Sequence, residues 1–573
     1  MSSTPREITI AVADGRQRKR AAPKGRQVDA QALAQVRALL GDAPRRRDLL
    51  IEHLHRLQDR FGHLSAAHLA ALAQEMHLAQ TEVYEVATFY HHFDVVREGE
   101  PAPPSLTVRV CDGIACELAG AKSLHAELEA RCGSGVRIVG APCVGRCEQA
   151  PVAVVHQHPV PAARADAVLA TLAAGTITHV HAGHVGFADY RAAGGYALLE
   201  RCRRGELDAD AVIDLLEDSG LRGLGGAGFP AGRKWRLVRA QPAPRLLAVN
   251  IDEGEPGTFK DRWYLERDPH RFVEGALIAA WAVGVDAIYV YLRDEYHGLR
   301  AMLHDELAAL RASDLGAHVP SIELRRGAGA YVCGEESAMI ESIEGKRGLP
   351  RLRPPYLAQV GLFGRPTLEH NFETLHWVRE IVERGAGWFA SHGRHGRRGL
   401  RSFSVSGRVR RPGVKLAPAG ITLRELVDEH CGGLPDGHEL YAWLPGGASG
   451  GIFPASMADL PLDFDTLQPH GGFIGSAAVI VLTRSATHCD RAVDAARNLM
   501  RFFRDESCGQ CTPCRAGTAK ASALIETDRW DLPLLADLSA VMRDASICGL
   551  GQAAPNPVDC VVRYFAHELQ SPR

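Results

Sequence analysis

The chain has 573 residues, of which 46 % are hydrophobic and 23 % charged, with a formal net charge of −2. That length holds several domains at about 150 residues each. The balance is ordinary for globular protein, and the near-neutral charge excludes a general polyanion binder. No apolar run approaches the roughly 20 residues of a membrane span, and the N-terminus lacks a charged-then-apolar leader. The 14 cysteines, several at cofactor-type spacing, point to metal chemistry in a reducing cytoplasm rather than to a disulfide framework.

Residues 1–28 carry Arg6, Arg16, Arg18, Lys19, Arg20, Lys24 and Arg26 against Glu7 and Asp14. With little apolar content, this reads as a basic flexible tail. No aromatic residues are interleaved, so nucleic acid is not expected as a partner. From Asp48 the pattern turns helical: Leu50, Leu54, Leu57 and Phe61 fall on one stripe. Leu69, Leu72 and Met76, then Val83, Val86 and Phe89, continue the period. His53, His55, His63, His68, His77, His91 and His92 share no face and read as surface or satisfied core residues.

Leu106–Val110 alternates as a strand and runs into Cys111-x4-Cys116. A helical segment and the strand Val136–Val139 lead to Cys143-x3-Cys147. Two cysteine pairs on loops leaving strands suit a 2Fe-2S cluster. Zinc is the competing reading, although a C-x-x-C knuckle would be more typical of it.

The central region opens on Arg222-Gly-Leu-Gly-Gly-Ala-Gly-Phe-Pro-Ala-Gly-Arg-Lys-Trp235. The Gly223-x-Gly225-x-x-Gly228 within it matches the dinucleotide fingerprint. That fingerprint should follow a strand and open a helix. Here Asp210–Ser219 is helical in period, and Pro230 follows the last glycine. The segment instead reads as an approach loop for a phosphate or flat ring. The strand Arg245–Asn250 leads to Asp252, Glu253 and Glu255, acceptors suited to ribose and ring N–H groups. A salt-bridged loop with Lys260 and Arg262 is the bland alternative. Strands Ala287–Leu292 and Ser321–Arg325 follow. The second leads to Gly327-Ala-Gly-Ala-Tyr-Val-Cys-Gly-Glu-Glu336. Glu335 and Glu336 can act as a general acid/base pair, but no nucleophile or metal motif accompanies them, and cofactor positioning is preferred. Arg365–Thr374 adds amide, imidazole and hydroxyl groups before another helix.

Toward the end, Arg401–Ser406 and Val479–Thr483 read as strands, and Thr422-Leu-Arg-Glu425 is a capping box. Cys508-x-x-Cys511-x-x-Cys514 with a distant Cys548 favours a 4Fe-4S cage over zinc, which usually takes two separated knuckles. Cys132, Cys202, Cys333, Cys431, Cys489 and Cys560 have no partner spacing and read as buried thiols.

The early helices, the Cys111–Cys147 pattern and the Glu148-Gln-Ala-Pro151 after it resemble the thioredoxin-like 2Fe-2S subunit of respiratory complex I. The glycine loop, Asn250-Ile-Asp-Glu-Gly-Glu255, Tyr331-Val-Cys-Gly-Glu-Glu336 and Asn371–Thr374 resemble its flavin- and NADH-binding subunit. The resemblance implies a multidomain α/β and α+β chain. Its parts would be a helical bundle at 29–96 and a thioredoxin-like 2Fe-2S domain at 97–180. A Rossmann-like FMN/NADH domain would span 181–400, a β-grasp (SLBB-like) domain 401–485 and a helical 4Fe-4S domain 486–573. It implies FMN contacts from Gly223, Gly225, Gly226, Lys234, Asn250, Asp252, Glu253, Tyr331, Gly334, Glu335, Asn371 and Thr374. NADH contacts would come from Phe229, Glu255, Glu336 and Tyr356, with no catalytic side chain needed because a flavin carries the hydride chemistry. Cluster ligands would be Cys111, Cys116, Cys143 and Cys147 for 2Fe-2S, and Cys508, Cys511, Cys514 and Cys548 for 4Fe-4S. Ile251 stands where the family has Gly, and His370 where it has Asn; His370 can still donate to the flavin phosphate. Acids near the adenine ribose favour NAD over NADP.

Fusion of both modules, with Lys24-Gly-Arg-Gln-Val-Asp29 and Arg47-Asp-Leu-Leu-Ile-Glu-His-Leu-His55, is similar to the beta subunit of NAD-dependent formate dehydrogenases. That implies a molybdenum- or tungsten-pterin alpha subunit with further iron–sulfur clusters as partner, and a cytoplasmic location. The diaphorase subunit of NAD-reducing hydrogenase and a fused complex I subunit are the nearer alternatives. A non-enzymatic zinc scaffold or plain electron-transfer module is the alternative of another class.

Overall fold

A computed structural model describes residues 26–570. The expected basic tail lies outside them, except for Arg26, Gln27 and Val28. Helices Ala30–Leu40, Leu50–Phe61, Ala66–Glu75 and Gln80–Phe89 form the N-terminal bundle. Asp29 and Ser65 cap the first and third through side-chain oxygens, satisfying backbone N–H groups that a helix start leaves open. Leu50, Leu54 and Leu57 are fully buried, and Phe61 stacks on His68 at 4.3 Å.

Three of the histidines depart from expectation, whereas His77 and His91 are exposed as expected. His53 and His55 are buried, yet Nδ1 of each has no partner, and neither has Nε2 of His92. His55 Nε2 donates to the Gly327 carbonyl at 2.9 Å. His92 Nδ1 lies 2.6 Å from Asp294, which also takes Arg326 at 2.5 Å. Asp48 and Glu52 reach Arg325 at 2.7 and 3.5 Å. Together these groups dock the bundle on the central sheet, an organisation that no local spacing announces.

The next sheet runs Val136–Ala141, Leu106–Cys111, Ala153–Val155, His158–Val160, with the first pair parallel and the rest antiparallel. Helices Ala121–Arg131 and Ala165–Ala173 pack on it. The central sheet is wholly parallel, in the order Thr367–Asn371, Arg245–Ile251, Val285–Leu292, Ser321–Arg326. Three of its strands match the sequence reading. The fourth, Thr367–Asn371, reads in the sequence only as polar groups before a helix. Its glutamate and histidine disguise a strand whose Thr367, Leu368, Glu369 and His370 are all buried.

Alternation sorts this sheet's residues onto two covered faces. Leu247, Val249, Ile288 and Val290 join one core. Leu246, Ala248, Tyr289 and Tyr291 meet the N-terminal bundle and the last helices. Buried on both sides, the sheet opens only at its strand ends, where α/β folds bind ligands. On one side helices Pro269–Val283 and Phe372–Arg384 cross closely. A Cβ added at Gly275 would lie 1.9 Å from the Leu375 carbonyl oxygen. Gly275→Ala should therefore cost about 1–3 kcal/mol by overpacking. Urea denaturation reads this directly, and an unchanged midpoint would mean the helices part freely.

A five-stranded sheet follows, in the order Gly413–Pro418, Leu400–Gly407, Ala478–Arg484, Glu439–Leu444, Phe453–Pro454. The Thr422/Glu425 capping box forms as expected, but the α-helix lasts only Leu423–Glu425 before a π-helical turn, Leu426–His430. The chain ends in helices Ala492–Asp505, Thr512–Ile525, Leu532–Ala545, Gly549–Ala553 and Asn556–Tyr564. Of the six unassigned cysteines, Cys202, Cys333, Cys431 and Cys560 are buried. Cys132 is half-buried and Cys489 exposed, correcting the uniform expectation. Among the described residues no helix is long and apolar enough to cross a membrane.

Candidate functional site

The glycine loop leaves the helix Ala209–Ser219 and ends at Pro230, which starts the helix Ala231–Arg239. No strand precedes it, so the approach-loop reading stands over the dinucleotide fingerprint. Gly226 and Gly228 take φ of 131° and 67°, open to glycine at no steric cost. A Cβ at Gly225 would lie 2.9 Å from Asn371 Cβ. Thr374 Oγ1 accepts from Leu224 N at 2.9 Å, seating the loop on the end of the fourth strand. Phe229 is 41 % and Tyr356 58 % exposed, so both aromatic side chains stand open at the rim.

Inside, Lys234 Nζ donates to the Glu369 carbonyl and carboxylate at 2.8 and 2.9 Å, and Glu336 lies at 3.6 Å. His370 Nε2 accepts from the Trp235 indole at 2.8 Å. Burial holds His370 well below its usual pKa, so the ring is neutral and Nδ1–H is its remaining donor. Asn250 donates to the Gly334 carbonyl at 3.0 Å and accepts from Asp252 N at 3.0 Å. Asn371 caps the helix Phe372–Arg384 and donates to Asp261 at 2.7 Å.

The acids divide by role. Glu253 accepts from Asp261 N, Arg262 N and Tyr296 Oη at 2.8, 3.0 and 2.8 Å; its carboxylate ties loops together. Burial and the neighbouring Asp261 push it up to about 7. Glu255 accepts from Tyr331 Oη, and from Ser449 N at 2.7 Å. Glu335 caps the helix Glu336–Ile343, and Arg353 pairs with both Glu335 and Glu336. Asp252 differs from them all. Its Oδ2 is buried with no partner, and burial, against the charge of Arg293, holds it well above the usual carboxylate range.

An acid whose folded pKa is raised binds its proton more tightly folded than unfolded. Stability is then lost as pH rises from about 4, the unfolded value, toward the folded one. Asp252→Asn should therefore stabilise the cofactor-free protein at pH 8 by about 1–3 kcal/mol, the cost of an unsatisfied buried group. It should change little at pH 4. Melting temperatures at the two pH values decide it; equal shifts at both would contradict the argument.

The fold gathers both sets of thiols. Cys143 and Cys147 sulfurs lie 3.3 Å apart, and Cys111 contacts both Cys116 and Cys143. Cys143, Cys147, Ala115 and Phe259 pack as one small cluster. Arg262 donates to the Gly145 carbonyl at 2.8 Å and pairs with Glu148. Asn498 donates to the Asp112 carbonyl at 2.8 Å and to Glu117 at 2.6 Å. The second quartet lies at helix starts, with Cys511 and Cys548 opening Thr512–Ile525 and Gly549–Ala553. Cys511, Cys548 and Cys508 lie near enough to Cys514 to add to the effect of its burial. Burial pushes Cys514 up to about 12 and Cys548 to about 11. Thiols this reluctant to ionise are deprotonated when metal binds. Glu335 acts on Cys508 and Cys548, and Cys548 on Tyr331. The pocket wall Tyr331–Glu335 thus borders this quartet, while Arg293 donates to the Cys143 carbonyl at 2.7 Å on the other flank.

Sequence reasoning missed Glu369, Arg293, Arg353 and Glu506, which accepts from Tyr331 N at 2.9 Å. Arg293 had a signal: it directly follows a central strand, at the carboxyl end where ligands bind.

Four family models match the chain. They are the Nuo51 FMN-binding domain over 216–380, the thioredoxin-like 2Fe-2S ferredoxin over 36–175, the NADH-ubiquinone oxidoreductase-F iron–sulfur binding region over 494–572, and the SLBB domain over 402–453. The chain is 42 % identical over 403 residues to the F 2 subunit of NADH-quinone oxidoreductase in Rhizobium meliloti (strain 1021), covering 68 % of this chain and 94 % of that protein. It is 41 % identical over 382 residues to the mitochondrial NADH-ubiquinone oxidoreductase 51 kDa subunit of Neurospora crassa, covering 63 % and 77 %. A chain of an NAD+-reducing NiFe-hydrogenase crystal structure in the H2-reduced state superposes with a TM-score of 0.79 and 34 % identity, covering 92 % of this chain and 93 % of that one.

Proposed function

The chain belongs to the family of NADH-quinone oxidoreductase F and complex I 51 kDa subunits, and from that premise we propose that it is the diaphorase subunit of an NAD-dependent formate dehydrogenase. It is an oxidoreductase that binds FMN, one 2Fe-2S and one 4Fe-4S cluster and uses NADH as substrate. The zinc scaffold is set aside, since both thiol regions match iron–sulfur families.

The observation that carries the diaphorase reading is that loops at the carboxyl ends of the central strands adjoin both thiol quartets, with Glu335 near Cys508 and Cys548 and Arg293 bridging the Glu253 and Cys143 carbonyls. The residues of these loops fit FMN. Gly225 leaves no room for a side chain, and the orphaned Asp252 Oδ2 supplies an unpaired group in an otherwise satisfied wall. In this reading Gly223, Gly225, Gly226, Lys234, Asn250, Asp252, Glu253, Tyr331, Gly334, Glu335, His370, Asn371 and Thr374 surround FMN. Bound FMN supplies the conversion between paired electrons of nicotinamide and single electrons of the clusters. Phe229 and Tyr356 offer faces to the nucleotide rings, and Glu255 and Glu336 orient the ribose hydroxyls and disfavour a 2′-phosphate. Cys508, Cys511, Cys514 and Cys548 hold the cluster that exchanges electrons with the partner. Cys111, Cys116, Cys143 and Cys147 hold the other.

The formate assignment rests on the fusion of both modules in one chain and on resemblance in Lys24–Asp29 and Arg47–His55. It implies a pterin-bearing alpha subunit and a cytoplasmic location. The second reading, the diaphorase of an NAD-reducing hydrogenase, has the full-length structural likeness in its favour. Co-purification with a metal assay separates them. Molybdenum or tungsten with formate-driven NAD+ reduction supports the first reading, and nickel supports the second. Subunits carrying none of these metals would point to a fused complex I component.

A further inference from the structure

Arg293 is a buried cation that touches both a cluster loop and the flavin-side loop. Its side chain is 5 % exposed. Nη1 donates to the Glu253 carbonyl and Nη2 to the Cys143 carbonyl, the latter at 2.7 Å. Nε pairs with Glu295 at 3.0 Å, whose side chain is 25 % exposed. The guanidinium also lies over Tyr296, 5.2 Å from the ring centroid. A guanidinium stays charged, and in a poorly solvated site its field on neighbours is weakly screened. Cluster potentials respond to local charge and to hydrogen bonding around their ligands.

We propose that Arg293 is a positioning and charge-setting residue that raises the reduction potential of the 2Fe-2S centre, so that this centre takes an electron from the flavin side. The inference rests on the assignment of Cys111, Cys116, Cys143 and Cys147 to that centre. On reduction the centre gains one electron and one negative charge, no bond is made or broken, and NADH is the reductant. A fixed positive charge beside Cys143 favours the more negative, reduced form. Glu295 partly offsets it.

The test is an EPR-monitored redox titration of the full holoprotein. Arg293→Gln should lower the 2Fe-2S midpoint by at least a tenfold change in the oxidised-to-reduced ratio, about 59 mV for one electron. Glu295→Gln should shift it the opposite way. Arg293→Lys, which keeps the charge, should stay closer to the parent than Arg293→Gln. The 4Fe-4S midpoint should hold in all three. Opposite signs for the two Gln variants support the inference. Unchanged midpoints, or shifts of one sign, with cluster signals intact, overturn it and leave the cluster assignment standing. If Arg293→Gln does not fold, the sign of the Glu295→Gln shift decides alone. A parent protein without a 2Fe-2S signal overturns the assignment and the inference together.

Discussion

Cys514→Ala should cut the iron of the purified chain from about six atoms to about two, the sum of the two proposed clusters less the larger. It should lower partner-driven NADH formation at least a hundredfold, while NADH-driven ferricyanide reduction survives, because small oxidants reach the flavin site directly. Cys514 is 4 % exposed. It sits on the first turn of Thr512–Ile525, against Gly551, where a Cβ would lie 2.8 Å from Cys514 Cβ. Removing one thiolate leaves one iron of the cage without a protein ligand, which weakens retention of the whole cluster. Iron and sulfide assays with EPR read the result. Six irons retained would show that the quartet is wrongly drawn.

Lys234→Met should weaken FMN retention about a hundredfold. Burial works against the lysine's charge, yet Glu369 and Glu336 hold its pKa above the usual value. Removing one member of a buried charge cluster strands the others, at about 3–5 kcal/mol. That cost falls on the fold; the affinity loss comes from removing the cation a flavin phosphate would meet, and a charge-assisted hydrogen bond of up to ~3 kcal/mol is about two decades of affinity. The variant should purify with little flavin, and excess FMN should restore ferricyanide activity. Full flavin occupancy after dialysis would contradict the proposed role.

What the sequence disclosed followed from how locally each signal is written. Cysteine spacing marks the pairs Cys111/Cys116 and Cys143/Cys147 and the triplet Cys508/Cys511/Cys514, and the glycine loop betrays itself by the helix before it. Arg245–Ile251 and Val285–Leu292 are mostly continuous apolar runs, as strands buried on both faces are, and Ser321–Arg326 alternates, whereas Thr367–Asn371 hid because two of its buried residues are ionisable. Arg293, Glu369 and the docking of Asp48, Glu52, His55 and His92 stayed invisible for a different reason. Each joins segments far apart in the chain, and a charged residue in sequence carries no mark of the partner that folding will give it. Glu253 shows the same effect in reverse: it stands within a recognisable motif, yet its carboxylate serves loop Asp261–Arg262 and Tyr296.

One consequence concerns how the protein is made. Cys111, Cys116, Cys143 and Cys147 are 1 %, 1 %, 2 % and 6 % exposed, and their loops are clamped by Arg262 on one side and Asn498 on the other. A delivery factor carrying preassembled iron and sulfide has no route to them once those clamps engage. Loading of that inner quartet is therefore expected before the finished chain closes. In the second quartet Cys508 and Cys511 stay half-buried while Cys514 and Cys548 are buried, so it is open on one side only. Iron supplied during synthesis should therefore load the inner quartet more fully than iron supplied to the finished chain, which an iron assay after early and late supply reads out.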